Sequence, residues 1–414
     1  MPSLLTSGTG LLLAAALAVL FQIHLKDPIW FGLGIGRAMQ PLSDFPGYAC
    51  RRIEHPDVRA CEDMWLSEST RQLFLACSDP AARSQWMPNA GKFNVSGRSV
   101  KDAIVSLRID EPADDGFELQ VLKTTGYAGA AGDGLLSVAG FGGIDDPAAP
   151  GLVKLFVINT KPFADAATGA LAEDHHATGA NTTIELFSAT AGSSELKHVR
   201  TYTDELIATP NRVAPMSDGS FYFTNDHGLK KVGLEHHLSP LLGTGDVTLC
   251  NADPNAPCAT VAEGLKYPNG LGHDAHAGGS RIYVPSSTRG TVTVYERSGA
   301  DGSLRKVDEV RTGYAIDNVS VDADGDLFVA LFPRGTDVLR AFDDPWGVRA
   351  ASAAMRVTRD EKDGGGYRME KIVEDGRGEV LPASTTVVHD AKTGRLFFSS
   401  VASPWIAVCD PLEG

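Results

Sequence analysis

Positive charge is scarce in this chain: 37 lysines and arginines stand against 52 aspartates and glutamates, for a formal net charge of -15. A protein that neutralises phosphates needs a basic footprint, which disfavours a nucleic-acid role. Acidity is, however, compatible with holding a hard cation. Long apolar runs are scarce too. One, at residues 11–21, is about as long as a signal-peptide core and short of the roughly 20 residues that a full membrane span prefers. No small-x-small cleavage site follows it, and Lys26 and Asp27 come next, so it reads as a secretory signal or an uncleaved anchor. Residues 1–40 are set apart on this ground as a signal or anchor and juxtamembrane segment, which permits membrane association. The protein is then secreted or membrane-anchored within the secretory pathway. Linker-like interruptions are absent from the remainder, so residues 41–414 read as one large domain.

Cysteine is sparse but even in number, at six, and in a secretory chain that points to disulfides rather than free buried thiols. Cys61 and Cys77 flank a hairpin whose turn falls near Ser67 to Thr70. Cys250 and Cys258 bracket a turn-forming loop rich in Asn, Asp and Pro. Cys50 and Cys409 are left, at the two ends of the large domain, where a bond stabilises by roughly 4 to 5 kcal/mol in the chain-entropy model. Asn94 and Asn181 head glycan acceptor sequons in expected loops.

What the chain has in quantity is a repeat. Short apolar strands recur behind turns at Arg71, Val153, Ser220, Arg281, Asp326 and Arg395, six in all, each within a stretch large enough for a four-stranded blade. The fold class is all-β: a six-bladed β-propeller with an N-terminal hydrophobic helix. In such a ring the inner strands start around one axial channel, so polar residues distant in sequence meet. Four polar motifs interrupt the apolar pattern: Cys61-Glu-Asp63, Pro210-Asn-Arg212, Tyr267-Pro-Asn-Gly270 and Ala315-Ile-Asp-Asn-Val-Ser320. Asn211, Asn269 and Asp317 each precede a repeated strand by about ten residues, which sets them at one height. With Glu62 and Asn318 they form an all-oxygen set of two carboxylates and three amides, suited to Ca²⁺. Taken singly, each is more often a turn or cap residue.

These motifs, with Thr182-Thr-Ile-Glu-Leu-Phe187, Phe223-Thr-Asn-Asp-His227, Ile316-Asp-Asn-Val-Ser-Val-Asp322 and Cys409, make the chain resemble the serum paraoxonase/arylesterase family over roughly residues 45–412. The resemblance implies a catalytic Ca²⁺ on Glu62, Asn211, Asn269, Asp317 and Asn318, and a second, structural Ca²⁺ near Asp63 and the backbone carbonyl of Ile144. Two departures stand out. Arg212 replaces a carboxylate expected at the second ion, and either pairs with Asp63 in the ion's place or points away. Gly142 and Thr160 fall where the family's proposed His dyad is expected.

The chemistry implied is hydrolysis of a small hydrophobic lactone or aryl ester, with Asp317 as the base, Glu62 as its competitor and His227 as a third candidate. Two alternatives remain: a calcium Lewis-acid isomerase or cyclase, and a non-catalytic propeller that binds a partner. His389 and the pairs His175–His176 and His236–His237 read as solvated loop residues. Asp322-Ala-Asp-Gly-Asp326 reads as a hairpin turn, because Pro333 stands where an EF-hand needs Glu. Residues 78–101 and 163–181 read as insertions that shape the entrance, with Trp86 and Met87 as apolar wall residues.

Overall fold

Each of the six repeated strands becomes the second strand of an antiparallel sheet in the computed structural model, which describes residues 3–113, 116–165, 167–172, 174–274, 280–299, 301–360 and 366–412. Blade 1 runs through Asp63–Ser67, Gln72–Cys77, Ala103–Ala113 and Gly116–Val121. Blade 2 uses Val138–Asp145, Leu152–Lys161, Asn181–Thr190 and Glu195–Tyr202, with Lys123–Thr125 added in parallel at its outer edge. Blades 3 and 4 begin at Pro210–Pro215 and Gly272–Asp274, and blade 5 at Ala315–Val321. Blade 6 takes Thr386–Asp390, Arg395–Ser399 and Ile406–Pro411, then borrows Tyr48–Ile53 from the front of the chain as its outermost strand. This exchange closes the ring.

The second strands are continuous apolar runs because both of their faces are covered. Every residue of Gln72–Cys77 and of Leu327–Phe332 is buried, whereas the outer strand Ala259–Leu265 has none buried. The core lies between blades. Met64, Leu66 and Leu73 of blade 1 pack with Phe397, Ile406 and Val408 of blade 6 in one cluster. All three expected disulfides are present, and Cys50 faces Cys409 directly across the closing pair of strands.

The N-terminal segment is helical from Ser3–Leu20 through a π-turn to Lys26–Leu33. Within it, Thr9–Leu33 is a 25-residue stretch long and apolar enough to cross a membrane, and it is unburied. His24 Nδ1 lies 2.9 Å from the Leu241 carbonyl, and Arg37 donates to the Pro333 carbonyl at 2.6 Å. Pro333 follows the end of a second strand, so the helix attaches at the end of the propeller where the inner strands start.

Candidate metal centre

The inner strands do not run smoothly past the axis. Ladder pairing slips by one residue between Pro210 and Val213 in blade 3 and between Ile316 and Val319 in blade 5. Between the Pro268–Ser286 bridge and the Gly272–Tyr283 pair of blade 4, the inner chain again carries one residue too many. A β-bulge re-aims side chains. Here the bulged residues are Asn211 with Arg212 and Asp317 with Asn318, while Asn269 lies within the irregular stretch of blade 4. Glu62 immediately precedes the first strand of blade 1.

Amide orientation is fixed by what each NH₂ group donates to. Asn211 Nδ2 reaches Asp226 Oδ2 at 3.2 Å, Asn318 Nδ2 reaches Thr386 Oγ1 at 2.8 Å, and Asn269 Nδ2 reaches Ser287 Oγ at 3.0 Å. Each carbonyl oxygen is thereby turned the other way. Four side-chain oxygens, Glu62 Oε2, Asn211 Oδ1, Asp317 Oδ1 and Asn318 Oδ1, are buried without a hydrogen-bond partner. Leaving such an atom unpaired costs about 1–3 kcal/mol, so four belonging to one predicted ligand set call for an occupant. Asn269 Oδ1 accepts the Gly270 N–H at 2.9 Å. Gly270 must lack a side chain, since a Cβ there would come within 1.8 Å of Asn318 Oδ1. Among the described residues no three His, Cys, Asp or Glu side chains gather to hold a metal by themselves, so the set depends on its amides.

Electrostatics agree. Burial, then the charge of Asp63, pushes Glu62 up to about 8 against the pull of Arg83. Burial and then Glu62, Asp63 and Asp226 hold Asp317 well above the usual carboxylate range. Crowded buried carboxylates of this kind need a cation to ionise. The residues fit an oxygen-seeking Ca²⁺.

The family model described as Arylesterase matches residues 167–398, more than half of the chain. The chain belongs to the arylesterase family. Serum paraoxonase/arylesterase 1 of Mus musculus is 31% identical over 159 residues, covering 37% of this chain and 42% of that protein. Serum paraoxonase/arylesterase 2 of Gallus gallus is 31% identical over 166 residues, covering 39% and 44%. These matches span less than half of either relative's length. Among solved structures, a luciferin-regenerating enzyme matches 88% of this chain and 96% of its own at 12% identity and a TM-score of 0.49.

Blade 2 holds Gly142 and Ile144 on its first strand and Thr160 on its second. The bulge of that blade lies at Ala139 and Gly140, between the Phe141–Val157 and Val138–Asn159 pairs, two residues ahead of Gly142. The backbone N–H that meets Asp63 Oδ2, at 3.1 Å, belongs to Phe141. Ile144 lines a cavity of about 300 Å³. Gly142 has no room for a histidine, because a Cβ would stand 2.0 Å from the Val213 carbonyl oxygen. A Gly142→His variant is therefore expected to melt several degrees lower and to gain no activity, readable by a thermal scan beside an esterase assay. Thr160 is buried, its hydroxyl donating to Ser137 O and its carbonyl accepting Trp86 Nε1 at 2.8 Å.

Of the five histidines read as solvated, His176 and His237 are exposed as expected, while His175, His236 and His389 need correction. His175 is buried edge-on against Trp86, and its Nε2 accepts the Phe163 N–H. His236 is buried and stacks on His227 at 3.9 Å. His389 sits in a strand, 2.7 Å from Asp322. The apolar pair Val387-Val388 beside His389, opposite the repeated strand Arg395–Ser399, carried a strand signal for it; helix Gly233–Leu242 hid His236. Trp86 and Met87 of the 78–101 insertion are both buried.

Four contributors were missed. Asp226 holds Asn211 with one oxygen and His227 Nδ1 with the other, at 2.7 Å. Arg83, from the 78–101 insertion, is buried and donates to Val138 O while its charge opposes the rise of Glu62. Thr385 and Thr386 of blade 6 both donate to Glu62 O at 2.9 Å. Their offset of about ten residues from Leu396 matches the other blades and was the available signal.

Proposed function

We propose that this protein is a calcium-dependent hydrolase of small hydrophobic esters or lactones. The observation that carries it is the set of four buried, unpartnered oxygens at the start of the inner strands, within a chain of the arylesterase family. A bound Ca²⁺ with an open position would polarise the substrate carbonyl and stabilise the charge developing on its oxygen.

The chain's own residues supply the rest. Asp317 Oδ1, free of hydrogen bonds, is the acceptor for the proton of the attacking water, and Glu62 Oε2 competes for it. His227 is held by Asp226 and lies edge-on to Tyr267, with ring centroids 5.2 Å apart. The Tyr267 phenol is pushed up first by burial and then by Asp226, Asp317 and Glu62, so it remains a proton donor beside those carboxylates. The 78–101 insertion packs over this end through Asn89, whose Nδ2 reaches Pro210 O at 3.0 Å and Asp226 Oδ2 at 2.9 Å, and so limits access by water.

Three disulfides and an apolar N-terminal helix support a lumenal or extracellular propeller, secreted or tethered through that helix. Asn94, exposed, is a glycan acceptor in that setting, whereas Asn181 stands not in a loop but at the head of strand Asn181–Thr190, half-buried and opposite Lys161. The test is elemental analysis of the purified protein together with a panel of lactones and aryl esters, products being followed by mass. Bound calcium is expected, with a ring-opened product heavier by one water from a lactone and an acid with a phenol from an aryl ester, and loss of turnover in EDTA. Undiminished hydrolysis in EDTA would remove calcium from the mechanism, and an isomeric product of unchanged mass would replace hydrolysis by rearrangement.

A further inference from the structure

Asp63 lies next to Glu62 in sequence, yet its oxygens are in the opposite condition. Oδ1 accepts the Met64 N–H at 2.8 Å and stands 3.0 Å from Arg212 Nη2, while Oδ2 accepts the Phe141 N–H at 3.1 Å. Neither is orphaned. Arg212 enters from the blade 3 bulge, buried, and donates through Nη2 to Met64 O of blade 1 at 2.9 Å and through Nη1 to Val319 O of blade 5. A guanidinium thus joins the backbones of three blades across the channel. Beyond it lies the cavity of about 300 Å³ lined by Trp65, Gly143, His273 and His389, for which Arg212 is one wall.

We infer that Arg212 is a built-in cation: it occupies the place and supplies the charge of a second, structural metal ion, so the propeller holds one exchangeable ion and stays closed around its axis without it. The count of one rests on the calcium reading of the cage above; the role of the arginine does not. Arginine has five donors and no lone pair to offer a metal, so it satisfies carbonyls and a carboxylate that a cation would otherwise draw together. Being covalently attached, it is not removed by a chelator.

The experiment combines calcium stoichiometry, by equilibrium dialysis with elemental analysis, and melting curves in calcium and in EDTA, on the full chain and on Arg212→Asp and Arg212→Met. Native protein is expected to bind one ion and to remain folded in EDTA. Arg212→Met is expected to melt roughly 5 to 10 °C lower than native in EDTA, because it strands Asp63 without a partner. Arg212→Asp is expected to take up one ion more than native and to depend on calcium for folding. Two ions per native chain, or an Arg212→Met protein that melts in EDTA where the native one does, would overturn the inference. No ion in native protein, with the Arg212→Met shift present, would instead overturn the calcium reading and leave the arginine's role standing.

Discussion

Asp317→Asn should lose esterase or lactonase turnover by at least about 10² to 10³-fold, the scale on which electrostatic stabilisation of a reacting oxygen is lost, while the propeller still folds. The substitution keeps shape and one carbonyl oxygen but removes a charge. That charge is held at a cost: burial and the neighbouring Glu62, Asp63 and Asp226 all oppose ionisation of Asp317. In metal-free protein the variant should therefore melt no lower than the native chain. Calcium should separate them. A ligand at 100 times its Kd stabilises the folded state by about 2.7 kcal/mol, and native protein should show a rise of that order on adding calcium. The variant should show little. Glu62→Gln should behave alike, and the double variant should lose little more than either single one, because both act on one ion. Native turnover in Asp317→Asn, or a calcium-induced rise in melting equal to the native one, would remove Asp317 from the site.

Much of this arrangement was legible in the sequence because a propeller converts chain offsets into height along an axis. Asn211 and Asp317 stand about ten residues ahead of Phe221 and Leu327, and both lie on inner strands beside those second strands. The cysteine pairing was legible for the same reason, since Cys50 and Cys409 could meet only where the ring closes. What the sequence hid was the bulge. In a regular strand consecutive residues face opposite ways, so Asn211 with Arg212, or Asp317 with Asn318, could not both address the axis. The extra residue in each ladder changes this. The same device in blade 2 falls on Ala139 and Gly140, which have no ligating side chain, so no polar motif marked it in the sequence. Side-chain partners that act from outside the repeat, Arg83 from an insertion and Asp226 beyond a second strand, leave no periodic trace at all.

Removing the closing disulfide should be the most costly single change to stability. With Cys50 and Cys409 both replaced by serine, the chain loses a covalent loop of sequence separation 359, which the chain-entropy model values at roughly 6 kcal/mol. The bond between Cys61 and Cys77 closes a separation of 16 and that between Cys250 and Cys258 only 8, for about 3 and 2.5 kcal/mol in the same model. Denaturant titration of the three double-serine variants should rank them in that order, and equal losses would show that loop entropy does not govern the effect. Position adds to length here. Tyr48–Ile53 is held in blade 6 by six register pairs, and the chain runs from there through Val58 to Glu62 with little other regular structure. Freed of the bond, that outer strand can peel from Ile406–Pro411 before the rest of the ring unfolds, and the first cage residue downstream of it is Glu62. The Cys50 and Cys409 variant should therefore lose calcium affinity at denaturant concentrations where its remaining sheet is intact, whereas the Cys250 and Cys258 variant should lose both together.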